Sequence, residues 1–137
     1  MKIALITDTH WGIRGDSSYI NDLAKKFLDN VFFPTLKENN ITKVIHLGDV
    51  VDRRKYINYN TANRIRTDFL TPLLQNNIET HIIIGNHDSF YRNTNMINGP
   101  RELISDKYPN IIIYENCTEI TLDIPILLVP WICLPIS

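Results

Sequence analysis

Val44-Ile45-His46-Leu47-Gly48-Asp49-Val50-Val51-Asp52 is the stretch that decides the fold. Its first four residues read as a buried strand, and Gly48-Asp49 reads as the point where the chain turns out of that strand. Two carboxylates at a strand end are not there for packing, because aspartate is rarely buried unless it is paired or bound to a metal. The arrangement recurs on both sides. Upstream, Asp8-Thr9-His10 follows the apolar run Lys2-Ile3-Ala4-Leu5-Ile6, and downstream, Gly85-Asn86-His87-Asp88 follows His81-Ile82-Ile83-Ile84. Three apolar strands, each ending in oxygen and imidazole donors, are the pattern of a metal site at the carboxyl edge of a parallel sheet.

The segments between the motifs supply the connections such a sheet needs. Apolar residues at Ile20, Leu23, Ala24, Phe27, Leu28, Val31 and Phe32 recur at helical spacing and predict a helix over 19–39, kinked or broken at Pro34. A second helix is expected over 61–76, with Ala62, Ile65, Phe69, Leu73 and Leu74 inward and a kink at Pro72. Strands are expected at 2–7, 43–47 and 80–84. A helix starts at Gly99-Pro100, and strands follow at 110–114, 118–122 and 126–129. The βαβαβ order argues for a parallel α/β unit followed by the beginning of another sheet or a sheet edge. No internal repeat stands out. His46 and His81, inside or at the start of strands, read as structural, and Trp131 reads as packing.

Composition bounds the rest. At 137 residues, 44% hydrophobic and 21% charged, the chain is one soluble domain or part of a larger protein. A net charge of −1 excludes a global basic field. Cys117 and Cys133 match no zinc spacing and read as free thiols of a reducing compartment. No signal peptide and no run of about 20 apolar residues is present, so a cytoplasmic location without a membrane partner is expected.

Asp8, His10, Asp49, Asn86 and His87 together form a mixed oxygen and imidazole donor set. Such a set suits manganese, iron or zinc better than calcium or magnesium alone. Asp49, on the middle motif, is the natural bridge between two divalent ions about 3.5–4 Å apart that clamp a phosphoryl group. His87 is placed to protonate a leaving oxygen, with Asp52 orienting its imidazole. Arg53 and Arg54, beside the site, are candidates to bind substrate phosphate.

Asp8-x-His10, Gly48-Asp49-x-x-Asp52 and Gly85-Asn86-His87-Asp88 resemble the calcineurin-like metallophosphoesterases. Trp11-Gly12, Arg53, the 93–103 stretch, Tyr108-Pro109-Asn110 and Val129-Pro130-Trp131-Ile132-Cys133 extend the resemblance to the SbcD-type DNA nucleases, among them recombination endonuclease subunits of T-even-like phages. The resemblance implies an α/β/β/α sandwich and a two-metal centre. Asp8, His10 and Asp49 would hold one ion, Asp49 and Asn86 would contribute to the other, and His87 would be the catalytic histidine. Manganese is the first expectation, with magnesium, iron or zinc as alternatives.

The resemblance also implies a DNA endo/exonuclease subunit in recombination, repair and replication. Such a subunit would be homodimeric and work with an SMC-like ABC ATPase of the SbcC type, in the host cytoplasm if phage-encoded. The family completes both ions with a later histidine and a Gly-His-x-His motif, whereas this chain has only His10, His46, His81 and His87. Residues 1–137 are therefore expected to be the amino-terminal part of such a domain, truncated at the carboxy end. The second ion site would then be incomplete, and Ile126, Leu128 and Trp131 uncovered.

A homodimer interface is expected to include Ile65, Phe69, Leu73 and Leu74 and the 91–103 segment. Two alternatives stand beside the nuclease. One is a phosphomonoesterase of the same superfamily. However, the Ser/Thr phosphatase signature continues with Gly where Arg54 stands, and its later motif ends in Glu where Asp88 stands. The other is a non-catalytic, partner-binding remnant.

Overall fold

The computed structural model describes residues 1–131 other than Arg54, Arg92, Asn93, Ser105 and Asp106. Strand β1 (Ala4–Ile6) is followed by a short turn of helix α1 (Ile13–Asp16) and then α2 (Ser18–Phe27), capped by the Ser17 hydroxyl, which accepts from the Ile20 N–H. α2 does not stop where a break was expected. It runs through a π-helical turn, Leu28–Phe32, into α3 (Phe33–Glu38). In that turn the Phe33 N–H reaches five residues back to Leu28 O. The widened turn accommodates Pro34, which lacks an N–H and whose ring would crowd a regular turn. The second connection repeats the device after strand β2 (Lys43–His46). α4 (Tyr59–Ile65), a π-helical turn (Arg66–Leu70) and α5 (Thr71–Gln75) form one rod, and the Thr71 N–H bonds Arg66 O ahead of Pro72.

Both rods end alike. Asn40 and Asn77 are left-handed at φ 54°, and Ile41 N–H and Ile78 N–H return to Leu36 O and Leu73 O at 2.8 and 2.9 Å. The unit is thus an internal repeat that composition does not reveal. Its trace in the sequence is Asn-Asn-Ile at 39–41 and again at 76–78, with Gly48 and Gly85 at the same interval.

Strand β3 (Glu79–Ile83) follows the second rod, and an antiparallel hairpin, β4 (Ser89–Tyr91) and β5 (Thr94–Asn98), leads to α6 (Gly99–Leu103). Of the two expected places for it, strand β6 (Ile111–Tyr114) takes the sheet edge and does not begin a second sheet. It adds in parallel to β3, giving a four-stranded parallel sheet in the order β1-β2-β3-β6. Period-two alternation splits its side chains. Ala4, Ile6, Val44, Ile82 and Ile111 pack on Phe32, Ile65, Phe69 and Leu73 of the helical rods. Ile45, Ile83 and Tyr114 face the other way, onto Leu122 and Leu128 of a second hairpin, β7 (Thr118–Leu122) and β8 (Ile124–Leu128). The layers are therefore helix, parallel sheet and a second β layer of two strands.

Several expectations are corrected by this packing. Leu128 is buried and Ile126 half-buried, because they are the inward positions of β8. Ile124, Leu127, Val129 and Trp131 are the exposed ones. Ile65, Phe69 and Leu73 are fully buried against the sheet and offer no dimer surface. Cys117 is disulfide-bonded rather than free, and Cys133 lies outside the described residues. His81 is structural, as read: its ring nitrogens lie 2.7 Å from Tyr114 Oη and 2.8 Å from Glu79 Oε2. Among the described residues, no helix is long and apolar enough to cross a membrane.

Candidate metal centre

The carboxyl ends of β1, β2 and β3 stay in contact beyond the strands themselves. The β1–β2 ladder continues through both turns: Asp8 N–H to Gly48 O (3.0 Å), His10 N–H to Asp49 O (3.0 Å), Trp11 N–H to Val50 O (2.9 Å) and Asp52 N–H to Trp11 O (3.0 Å). Within it, Asp8 (φ 55°), His10 (φ 44°), Gly48 (φ 104°) and Asp49 (φ 55°) are left-handed. Three of these are side-chain-bearing residues in a sparsely populated region. Such strain persists only where the surroundings over-determine it, and it clusters at functional sites. The β2 and β3 turns meet backbone to backbone. A Cβ on Gly85 would stand 2.2 Å from Asp49 N, and one on Gly48 would stand 2.8 Å from Gly85 Cα. Only glycine fits this crossing.

Asp88 clamps the same crossing from beneath. Fully buried, its carboxylate accepts from Val51 N–H (3.1 Å) and Gly85 N–H (2.9 Å). Burial pushes its pKa up to about 6, against the downward pull of those two backbone bonds. In the sequence Asp88 closes the Gly85-Asn86-His87-Asp88 motif and distinguishes it from the phosphatase signature, with no structural role assigned to it. Its position three residues after Gly85 is the available signal, since an Asp there closes a turn onto the glycine N–H.

The side chains converge above this frame. His10, Asp49 and His87 each offer a donor atom, all within 4.8 Å of one another. Asp49 Oδ1 accepts the His87 main-chain N–H at 2.8 Å, its Oδ2 lies 3.9 Å from His10 Nε2, and the two imidazoles meet edge-on with centroids 5.0 Å apart. Asp8 stands at the rim, more than half exposed, with Oδ1 3.2 Å from His10 Nε2. The Thr7 hydroxyl, donating at 2.6 Å, holds its carboxyl below the usual range, and His10 acts in the same direction. Asn86 lies half-buried in the β3 turn between Gly85 and His87.

Two expected roles change. The Asp52 carboxylate does not face His87. It lies 3.3 Å from His10 Nδ1, out of line for a hydrogen bond, while the Asp52 main-chain carbonyl accepts from His87 Nδ1 at 2.6 Å. A carbonyl only accepts, so His87 carries its proton on Nδ1, and Nε2 is the nitrogen available to the site. Arg53 turns away from the donors. It pairs with Asp16, approaches Tyr56 Oη at 3.2 Å and lies 4.4 Å over the Tyr56 ring. Asp16 also accepts from the Thr61 hydroxyl at 2.7 Å, so Asp16, at the end of α1, joins Arg53 to α4. Arg54 lies outside the described residues.

The donor set fits a divalent cation. It joins two imidazoles to a carboxylate, with further carboxylates at Asp8 and Asp52 and a buried His10 Nδ1 that makes no hydrogen bond.

A family model described as calcineurin-like phosphoesterase matches residues 1–131. Exonuclease subunit 1 of Enterobacteria phage T4 is 34% identical to the chain over 134 residues. The match covers 97% of this chain and 39% of that protein, so the chain spans about two fifths of its relative's length.

Proposed function

The chain belongs to the calcineurin-like phosphoesterases, and from that premise we propose that it is the amino-terminal part of a metal-dependent DNA endo/exonuclease subunit that hydrolyses phosphodiester bonds with two divalent ions, manganese first among them. The observation that carries this reading is the convergence of His10, Asp49 and His87 from three strand ends to within 4.8 Å. The name of the phage relative, an exonuclease subunit, supports DNA as substrate and a multi-subunit assembly. From the resemblance to the SbcD-type nucleases, the proposed partners are a second copy and an SMC-like ABC ATPase of the SbcC type, acting in DNA recombination, repair and replication in the cytoplasm.

His10 and Asp49, with Asp8 beside them, would hold one ion, and Asp49 and Asn86 would hold the other. Such ions supply Lewis acidity, polarising a phosphoryl oxygen and acidifying water. The protein's own contribution is orientation. The Asp52 carbonyl fixes the His87 ring through Nδ1–H, so Nε2 is the ring atom open to the site; as the imidazolium, His87 would pass its second proton from Nε2 to the leaving oxygen and keep the one on Nδ1. The Asp52 carboxylate, 3.3 Å from His10 Nδ1 without a hydrogen bond, supports His10 by its charge from the far side of the ring. Replacing His87 by Ala, in a protein completed with the family's later Gly-His-x-His segment, separates proton donor from ligand. A proton donor loses about 10²-fold in turnover with manganese affinity kept; a collapse of affinity in calorimetric titration would instead make His87 a ligand.

A second reading, a chain that binds metal and a partner without turnover of its own, is favoured by the histidine inventory. Of the four histidines, His46 and His81 are buried in bonds elsewhere and His87 is the proton donor, which leaves His10 as the imidazole ligand for two ions. The chain alone is therefore expected to take up about one manganese, weakly, and to leave DNA intact. Supplied with a polypeptide carrying the family's later Gly-His-x-His segment, it is expected to cleave plasmid DNA in preference to p-nitrophenyl phosphate. The reverse preference would favour a phosphomonoesterase, and no manganese uptake at all would remove the metal reading.

A further inference from the structure

His46 lies fully buried beneath the metal centre, and none of the roles above uses it. Its two ring nitrogens face the two turns that carry the candidate ligands. Gly48 N–H donates to Nδ1 at 3.1 Å, and Nε2 lies 3.0 Å from the Thr9 hydroxyl. That hydroxyl donates onward to Val50 O at 3.0 Å. The directions are fixed by chemistry. A main-chain N–H can only donate and a carbonyl can only accept, so Nδ1 must accept and Thr9 Oγ must receive Nε2–H. A single neutral tautomer satisfies all three bonds, and burial, which pushes the His46 pKa down to about 4, favours that neutral form.

The contacted positions are specific. Thr9 stands between Asp8 and His10, and Gly48 precedes Asp49. All three of those candidate ligands are left-handed, a conformation the backbone holds only under constraint. We propose that His46 and Thr9 form a positioning strap that joins the β1 turn to the β2 turn and sets the Asp8–His10 pair against Asp49 for metal binding. The strap rests on the metal reading given above, but its geometry does not require an ion.

Two measurements test it. In the first, manganese affinity is measured by calorimetry for wild type, Thr9→Val, His46→Leu and His46→Gln, with folding followed by circular dichroism. Thr9→Val keeps shape and loses only the hydroxyl, so it remains informative if His46→Leu fails to fold. Weakening by about tenfold or more in Thr9→Val, with recovery to within about threefold in His46→Gln, which both accepts and donates, is the expected result. Thr9→Val with unchanged affinity would overturn the strap. In the second, the nitrogen-15 shifts of the metal-free chain at neutral pH report the tautomer directly. The strap requires His46 protonated on Nε2, and a ring protonated on Nδ1 refutes it. Absence of manganese binding by wild type itself would defeat the metal reading first and the strap's purpose with it, an outcome distinct from a strapless variant that binds normally.

Discussion

At the scale of single residues, the site depends on two glycines and two buried titratable groups. Alanine at Gly85 puts a methyl carbon 2.2 Å from Asp49 N and 2.9 Å from Gly48 C, backbone atoms that cannot give way as a side chain could. Gly85→Ala is expected to cost at least about 1–3 kcal/mol and to abolish manganese binding, read by thermal melting and titration. A variant that melts and binds like wild type would mean the two turns stand further apart.

His46 and Asp88 make opposite contributions to the pH dependence. The His46 pKa is depressed from 6.5 to about 4, so its contribution is full above pH 6.5 and is lost as pH falls toward 4. The Asp88 pKa is raised from 3.8 to about 6, so its contribution is full below pH 3.8 and is lost as pH rises through 6. Each is on the order of 3 kcal/mol. The wild-type Tm is therefore expected to be nearly flat between pH 4.5 and 6. In His46→Gln only the Asp88 slope remains, and the Tm should fall over that window. A Tm that instead climbs with pH in the variant would refute the assignment.

At the scale of elements, the repeated rod is the informative unit. Periodicity predicts both helices, but their stripes fare differently: Ala62, Ile65, Phe69 and Leu73 of the second rod are buried as the spacing requires, whereas in the first rod Leu28 and Phe32 are buried and Leu23, Phe27 and Val31 stay exposed. The π turns were not legible, because a proline reads as a break unless the preceding turn widens, and that depends on how the rod seats on the sheet. The Asn-Asn ends were legible in principle, since asparagine tolerates the left-handed cap and two copies lie at matching places. Asn77 at φ 54° pays a steric penalty that glycine does not. Asn77→Gly should be neutral or slightly stabilising, whereas Asn77→Val should lose about 1–2 kcal/mol. Chemical denaturation checks both, and equal stabilities would show that the cap is not strained.

At the scale of the whole molecule, the second β layer is the exposed face. Leu5 in β1 is 64% exposed, Leu127 in β8 is 65%, and Ile124, Val129 and Trp131 are exposed nearby in sequence on or after β8. Apolar residues exposed in such number favour self-association. Leu5→Lys combined with Leu127→Lys is expected to reduce association at micromolar concentration in sedimentation while leaving the Tm within a few degrees, because neither side chain is in the core. Undiminished association would place the contact elsewhere, for instance in the groove lined by Tyr56, Tyr59, Arg66 and Leu103.

The three strand-end motifs, the βαβαβ order and the family were legible in the sequence by itself, because each rests on local pattern. Apolar runs make strands, glycine and aspartate end them, and donors at the carboxyl edge of a parallel sheet must converge. Tertiary structure alone decided the partners. The Asp52 side chain went to His10 and its carbonyl to His87, Arg53 went to Asp16, β6 joined the first sheet, and Asp88 and His46 became clamps beneath the turns. The reason is geometric. Sequence spacing says on which strand end a side chain sits. The left-handed turns at Asp8, His10 and Asp49 aim each side chain, and those turns exist only when the strands are already packed together.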